Sequence, residues 1–398
     1  MKTKEVKDLL KELPVKQEGQ LNIYMHVSEN SGVGYYRQYL PAKTLADKKI
    51  HNVLISDFRW GEGDHIEPAL DKLFDIARWA DIVIVGRKDV SQFYAQWGGI
   101  REFFNIPIVM DTDDNVRFVS PYNPGYQGYH PGSEAIVWNK FSVSKVFDAI
   151  TVSTENLKKF HEKENPRIYL LPNYLDMKWW DAVLNKENED GSLRICFIGS
   201  SAHGEGVNLI KKPVKEIMEK YPQARFVITH VYRNMFDDWS ESLRNRIEFA
   251  PWFKLEEWPQ GMKGLRIDIG LAPLTDNMFN RAKSNLRWLE YSACKIPTIA
   301  SAVSPYLCIN NWENGIIVIE QNEWFNAIEK LVLDKELRYN IREAAYREIS
   351  MNFDIDKNIS LWDNAYREIY KKFHDFWGPK KRFEKVGKGK YREIRLYS

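Results

Sequence analysis

Residues 268–301 read DIGLAPLTDNMFNRAKSNLRWLEYSACKIPTIAS. An apolar run enters a polar loop, the loop opens a helix, and the helix ends at a second apolar run closing on Ala300-Ser301. Strand, helix and strand in that order form a βαβ unit, which belongs to a parallel sheet. A loop that opens a helix also offers backbone N–H groups and the positive end of the helix dipole to a phosphate. Asp276, Asn277, Asn280, Arg281, Lys283, Ser284 and Asn285 crowd this connection, and Glu290 follows on the helix. The assembly suits a nucleotide diphosphate that carries a sugar.

The same alternation extends in both directions. Strands are expected at 193–199, 224–230, 246–249, 267–272, 298–301 and 316–319, which makes a second-half sheet. A first-half series lies at 21–27, 53–56, 82–85, 106–110, 149–152 and 168–171. The fold class is α/β: two Rossmann-like, doubly wound parallel sheets with the carboxyl ends of their strands around a shared cleft. The expected organisation is a first domain at 1–175, a linker at 176–192, a second domain at 193–355, a helix at 356–377 and a basic tail at 378–398. In the helix, Leu361, Trp362, Ala365, Ile369, Phe373 and Trp377 have the spacing of one apolar face.

A length of 398 residues, 44% of them hydrophobic, can fill two cores. The 14 Trp, 20 Tyr and 20 Phe supply core and also platforms for sugars or bases. The net charge of +2 is too near zero for a strongly electrostatic nucleic-acid binder. The tail is different: it holds eight Lys or Arg against two Glu, a net of +6 that leaves −4 for the rest of the chain. With Phe383, Tyr391 and Tyr397 interleaved, it is either a solvated, frayed terminus or a contact for DNA or an anionic membrane.

Three cysteines, Cys196, Cys294 and Cys308, make neither a disulfide framework nor a zinc pattern. A reducing compartment is expected. The charged N-terminus lacks a signal-peptide core and no apolar run reaches membrane length, so the expected location is cytoplasmic.

Three further loops carry polar groups after strands. Gly32 and Gly34 follow the first strand and let backbone approach a ligand closely, with Arg37 placed to reach an anion; the third glycine of the dinucleotide fingerprint is absent. Asp111, Asp113 and Asp114 sit in MDTDDN after the strand at 106–110. Three roles stay open for them: a metal site, a hydroxyl-binding or base-like site for an acceptor, and a helix N-cap. Gly199, Ser200 and Ser201, followed by His203, can cradle a diphosphate through backbone amides and hydroxyls.

Glu290, Lys295-Ile296-Pro297 and Ile299-Ala300-Ser301 resemble the donor region of the GT-B glycosyltransferases, especially retaining family 4 and its bacterial and phage relatives. That family carries two glutamates separated by seven residues, a Gly-x-Pro turn and a strand ending in Ala-Ser. Here the first glutamate position is Ala282, and Lys295 replaces the glycine. The resemblance runs over roughly 21–360, with Ser31 to Arg37 and 171–176 as further matches. It implies a glycosyltransferase that moves a hexose or related sugar from a nucleotide-diphosphate sugar to an acceptor hydroxyl, retaining in the family's sense of keeping the anomeric configuration. It further implies Asp113, Glu290 and Lys283 as the catalytic set, and Arg281, Ser284 and Asn285 on the diphosphate. By analogy with the family's base-holding loop, Trp252 lies beside the nucleobase. No cofactor and no divalent metal are expected. The acceptor is open among a glycan, a lipid-linked sugar and a base in phage DNA, and a nucleotide-sugar binder without catalysis is the reading from another class.

Overall fold

A computed structural model describes residues 13–27, 31–56, 70–88, 91–183, 188–387 and 390–394. The sequence readings at the extreme N-terminus, at residues 28–30, in part of the linker and at Tyr397 lie outside these. The chain divides into two compact units. One comprises Met1–Asp113, Pro131–Pro172 and Asn358–Ser398, the other Asp114–His130 and Asn173–Lys357.

The first unit is built on a parallel sheet of β1 (Asn22–His26), β2 (Asn52–Ile55), β3 (Ile82–Gly86), β4 (Ile108–Thr112), β5 (Ala149–Val152) and β6 (Ile168–Leu170), in the order β2-β1-β3-β4-β5-β6. β1, β3, β4 and β5 are buried throughout, as strands of parallel sheets covered on both faces usually are. Ile23 lies opposite both Val53 and Ile82, so the order reverses beside β1.

After β1 the chain enters helix through Ser31, whose hydroxyl accepts from the Val33 N–H. It passes through a π-helical turn at Tyr35–Tyr39 before the helix Leu40–Asp47. Pro41 has no N–H to give the Arg37 carbonyl, which accounts for a widened turn there.

The helix Ser360–Trp377 belongs to this unit and buries Trp362, Ala365, Tyr366, Ile369 and Phe373. Leu361 and Trp377 are exposed, which moves the apolar face by one position from the sequence reading. The described residues of the basic tail form a hairpin. β13 (Phe383–Gly387) pairs antiparallel with β14 (Lys390–Glu393). Phe383 stacks on Phe103 with ring centroids 4.4 Å apart, and the Tyr391 hydroxyl donates to Asp75 at 3.0 Å. The Lys380 ammonium donates to the carbonyls of Arg78 and Ala80, closing the C-terminal end of the helix Leu70–Trp79.

The second unit holds β7 (Leu193–Phe197), β8 (Ala224–Thr229), β9 (Ile247–Ala250), β10 (Ile269–Ala272), β11 (Thr298–Ser301) and β12 (Ile316–Val318), all parallel, in the order β12-β11-β10-β7-β8-β9. This is the doubly wound order whose reversal falls between β7 and β10. Its core gathers Ile195, Phe226, Ile228, Leu271 and Ile299 from the sheet with Val207, Ile210, Trp324 and Ile328 from the helices. Among the described residues no helix is long and apolar enough to cross a membrane.

Candidate functional site

Ligands of open α/β sheets bind at the carboxyl ends of the strands where the order reverses. In the second unit that point lies between β7 and β10, and the loops leaving them are residues 198–203 and 273–285. The first loop is held from beneath. Gly199 N–H donates to Thr229 Oγ1 at 3.0 Å, Ile198 N–H donates to the Tyr291 hydroxyl at 3.2 Å, and the Tyr232 hydroxyl donates to the Ser200 carbonyl. A Cβ on Gly199 would meet the Phe197 ring at 2.9 Å, and one on Gly206 would lie 2.5 Å from the Pro273 carbonyl oxygen. The first turn of the helix Gly204–Lys220 therefore lies against the chain leaving β10. No side chain caps that helix at His203, which leaves its first amides for another partner.

The second loop is a string of short caps. Asn277 accepts from Asn280 N–H at 2.8 Å and starts the helix Met278–Arg281, and Asn280 Nδ2 donates to the Thr275 carbonyl at 2.9 Å. Arg281 forms a fork with Asp276 at 2.5 and 2.7 Å on the surface. Lys283 is 17% exposed, 4.5 Å above the Phe279 ring and 3.6 Å from Asp114 Oδ1. Ser284 Oγ accepts from Asn173 Nδ2 at 3.0 Å, and Asn285 Nδ2 lies 3.4 Å from the Cys308 sulfur.

On the helix Leu286–Ala293, Glu290 is buried and divides its carboxylate. Oε1 accepts from Trp258 Nε1 and Oε2 from Arg287, both at 2.9 Å. Burial pulls the pKa of His203 well below its ordinary value, and the positive charges of Lys283 and Arg287 depress it further. Lys283, beside Asp114, and Arg287, bonded to Glu290, are thus the two cations whose charge reaches the β7 loop.

Of the residues singled out from sequence, Gly199, Ser200, Ser201, Lys283, Ser284, Asn285 and Glu290 belong to this switch-point region. Arg281 is turned to Asp276, and Trp252, 63% exposed, follows β9. Thr229, Tyr232, Trp258, Glu205 and Arg287 enter without having been anticipated. Only Arg287 carried a signal, as the i−3 partner of Glu290 on one helix face.

In the first unit, Gly32 and Gly34 lie in ordinary helical backbone at the turn after Ser31. The strand β4 runs on through Asp111 and Thr112, beyond the expected end at residue 110. Asp111 is buried there because its charge is matched. Arg37 Nε and Nη2 donate to its two oxygens at 3.1 and 2.7 Å, Gln38 Nε2 at 2.9 Å and Thr151 Oγ1 at 2.6 Å. Arg37 also donates to the Leu171 carbonyl at 2.5 Å, and its side chain has no exposed surface. Burial of the guanidinium works against its charge, and Asp111, with Asp113 and Tyr366 adding to it, more than offsets that, so the pKa is raised. The anion that Arg37 meets is thus internal. Asp113 takes a contact from Ser153 Oγ to its carbonyl at 3.4 Å, and Asp114 belongs with Lys283 in the second unit. Among the described residues no group of three or more His, Cys, Asp or Glu is placed to hold a metal ion.

The sequence matches no protein-family profile, and a search of curated proteins returns no relative. Solved structures do match. Sucrose-phosphate synthase from Thermosynechococcus elongatus has a TM-score of 0.60 at 13% identity, covering 89% of this chain and 100% of that one. HepE from Anabaena, solved with UDP and glucose, has a TM-score of 0.60 at 12% identity over 88% and 99%. The chain has the GT-B fold. A glycosyltransferase from Rickettsia africae is similar as well, with a TM-score of 0.59 at 17% identity over 90% and 99%. At these identities the likeness is one of fold.

Proposed function

We propose that this chain is a glycosyltransferase of the family 4 type that moves a hexosyl or related sugar from a nucleotide-diphosphate sugar to an acceptor hydroxyl with retention. The observation that carries the reading is the meeting of the loop leaving β7 and the chain leaving β10 at the strand reversal of the second sheet, where Gly206 lies against the Pro273 carbonyl. HepE, of the same fold, is solved with UDP and with UDP-glucose. As the bond from the anomeric carbon to the diphosphate oxygen breaks, negative charge collects on the leaving group. Fixed cations and backbone amides aimed at that charge lower the barrier.

In this reading the amides of Gly199, Ser200 and Ser201 and the ammonium of Lys283 hold the diphosphate, with Arg281, Ser284 and Asn285 at its edge. Glu290, fixed by Trp258 and Arg287, accepts from ribose or sugar hydroxyls. Trp252 serves the base. Asp113 takes the base-like role toward the acceptor, Gly32, Gly34 and Asp114 are the further acceptor-side residues, and Arg37 and Asp111 hold the end of β4 that precedes Asp113. The two fixed cations take the charge that a divalent ion would otherwise neutralise, so transfer is expected to survive chelation by EDTA. Cys196 and Cys294, buried thiols pushed up by burial, agree with a reducing, cytoplasmic setting.

Ala282, in the place of a family glutamate, supports one alternative, a nucleotide-sugar binder without transfer. A base in phage DNA as acceptor is the other, with the tail as a peripheral contact for DNA or membrane. A thermal-shift series with UDP, GDP, ADP and their sugars tests the donor site, because a ligand at 100 times its Kd adds about 2.7 kcal/mol. Release of nucleoside diphosphate from the stabilising sugar then separates transfer or hydrolysis from binding alone. The absence of a shift with every nucleotide overturns the reading.

A further inference from the structure

We propose that residues 118–130 present a platform for an uncharged saccharide, and that this saccharide is the acceptor. The proposal rests on the glycosyltransferase reading above and names the acceptor class. From Phe118 to His130 the sequence is FVSPYNPGYQGYH, without a single Asp, Glu, Lys or Arg in a chain that is 28% charged. Capture of a nucleic acid depends on cations that neutralise its phosphates. This stretch offers none, and it has no acid to meet a cationic ligand either. What it offers is Tyr, Asn, Gln and Gly, the composition of surfaces that bind polar neutral ligands through rigid rings and adaptable amides.

The segment has a fixed backbone. Asn123 N–H donates to the Ser120 carbonyl, Tyr126 N–H to the Asn123 carbonyl and Gly125 N–H to Asn123 Oδ1, each at 2.9 Å. A chain already ordered by such turns loses little freedom when a ligand arrives. Tyr122 is 81% exposed on this frame, with Tyr126 four positions on at the start of the helix Tyr126–Tyr129. Exposed aromatic faces accept the C–H faces of pyranose rings, and the exposed amide of Gln127 lies on the same short helix as Tyr126.

The platform is bolted to the donor loops within the same unit. Ser120 Oγ donates to Glu205 Oε1 at 2.7 Å, and Thr275 Oγ1 donates to Glu205 Oε2 at 3.3 Å. The turn Val116–Phe118 packs against the helix Met278–Arg281, and Asp114 faces Lys283. Glu205 thus ties the saccharide platform to the chain leaving β10 through one carboxylate.

The test uses the full chain on an array of neutral glucose-, galactose- and N-acetylglucosamine-based oligosaccharides, with a sulfated oligosaccharide and a DNA duplex as competitors, at low and high salt. Retention of a neutral oligosaccharide, insensitive to salt and weakened about tenfold or more in the double variant Tyr122→Ala, Tyr126→Ala, supports the proposal. The nucleotide-induced thermal shift of that variant is expected to stay at its parental value, which separates failure of the platform from failure of the donor site. Salt-dependent retention of DNA or of the sulfated sugar in preference to neutral sugars overturns the proposal. So does undiminished saccharide binding by the variant, or no saccharide binding by the parent.

Discussion

The indole N–H of Trp258 donates to Glu290 Oε1 at 2.9 Å, joining the start of the helix Trp258–Gly264 to the middle of Leu286–Ala293. Glu290 is buried, and its other oxygen is held by Arg287. A carboxylate held from two sides in this way keeps one orientation, which is what a hydroxyl-binding acid requires. Trp258→Phe keeps the ring and removes the donor. The expected loss is about 1–3 kcal/mol of stability in urea unfolding, because a buried charged acceptor is left short of a partner. Donor KM is expected to rise as Glu290 loses its orientation. Unchanged values of both would show that the bond is ornamental.

Lys283 sits largely out of solvent above Phe279, near Asp114 and close enough to His203 to lower its pKa. Lys283→Ala is expected to cut turnover about 100-fold or more while the circular dichroism spectrum stays unchanged, since the cation acts on charge that develops at the leaving group. Steady-state release of nucleoside diphosphate measures it. Near-parental turnover would remove Lys283 from the diphosphate.

The first turn of the helix Gly204–Lys220 is fixed by contact with backbone. A Cβ at position 206 would overlap the Pro273 carbonyl at 2.5 Å, and no side-chain rotation relieves a clash with main chain. Gly206→Ala is expected to cost about 1–3 kcal/mol and to weaken the nucleotide-induced thermal shift by displacing the amides beside His203. Calorimetry with and without UDP reads both effects in one experiment.

The strand, loop, helix and strand of residues 268–301 were legible because each boundary is chemically local. Apolar runs mark β10 and β11, while the short helix Met278–Arg281, capped by Asn277, went unread inside the polar loop. The end of β4 was not legible. An aspartate after an apolar run reads as loop, and what keeps Asp111 in the strand is Arg37, Gln38 and Thr151, all distant in sequence. The same limit hid Trp258, whose partner lies 32 positions away. The basic tail read as either a solvated terminus or a contact for DNA or membrane, because its charges dominate its composition. Its position depends on Phe383 finding Phe103 and on Lys380 finding carbonyls at a helix end, neither of which has a periodic signature.

Arg37 and Asp111 form a buried pair with further hydrogen bonds on both partners. Removing one partner leaves an uncompensated charge in the sheet. Arg37→Leu is expected to destabilise the protein by about 3–5 kcal/mol. Arg37→Lys keeps the charge and loses the fork, so it is expected to recover part of that loss. If Arg37 acted on an anion from solution instead, Arg37→Lys would change phosphate or donor affinity with the thermal midpoint unmoved.

His51 gives the first unit a pH dependence with a definite sign. Its Nδ1 accepts from the Leu21 N–H at 3.1 Å, so Nε2 carries the proton and faces Asp363 Oδ1 at 2.8 Å. A second proton would have to enter at Nδ1, where an N–H already points. Burial lowers the pKa from 6.5, and Arg367 adds to the lowering, while Asp363 and Asp81 oppose it. Above 6.5 the ring is neutral in folded and unfolded chains alike, and the arrangement is fully stabilising. As pH falls below 6.5 the unfolded chain takes up a proton that the folded one refuses. Stability then declines by at most about 1.4 kcal/mol per pH unit from this group, until the folded pKa is passed. His51→Asn retains an acceptor for Leu21 and a donor for Asp363 and cannot titrate. The thermal midpoint of the parent is expected to fall more steeply than that of the variant between about pH 6.5 and 5, with parallel curves above pH 7. Parallel curves throughout would mean that His51 takes up its proton in the folded state without penalty.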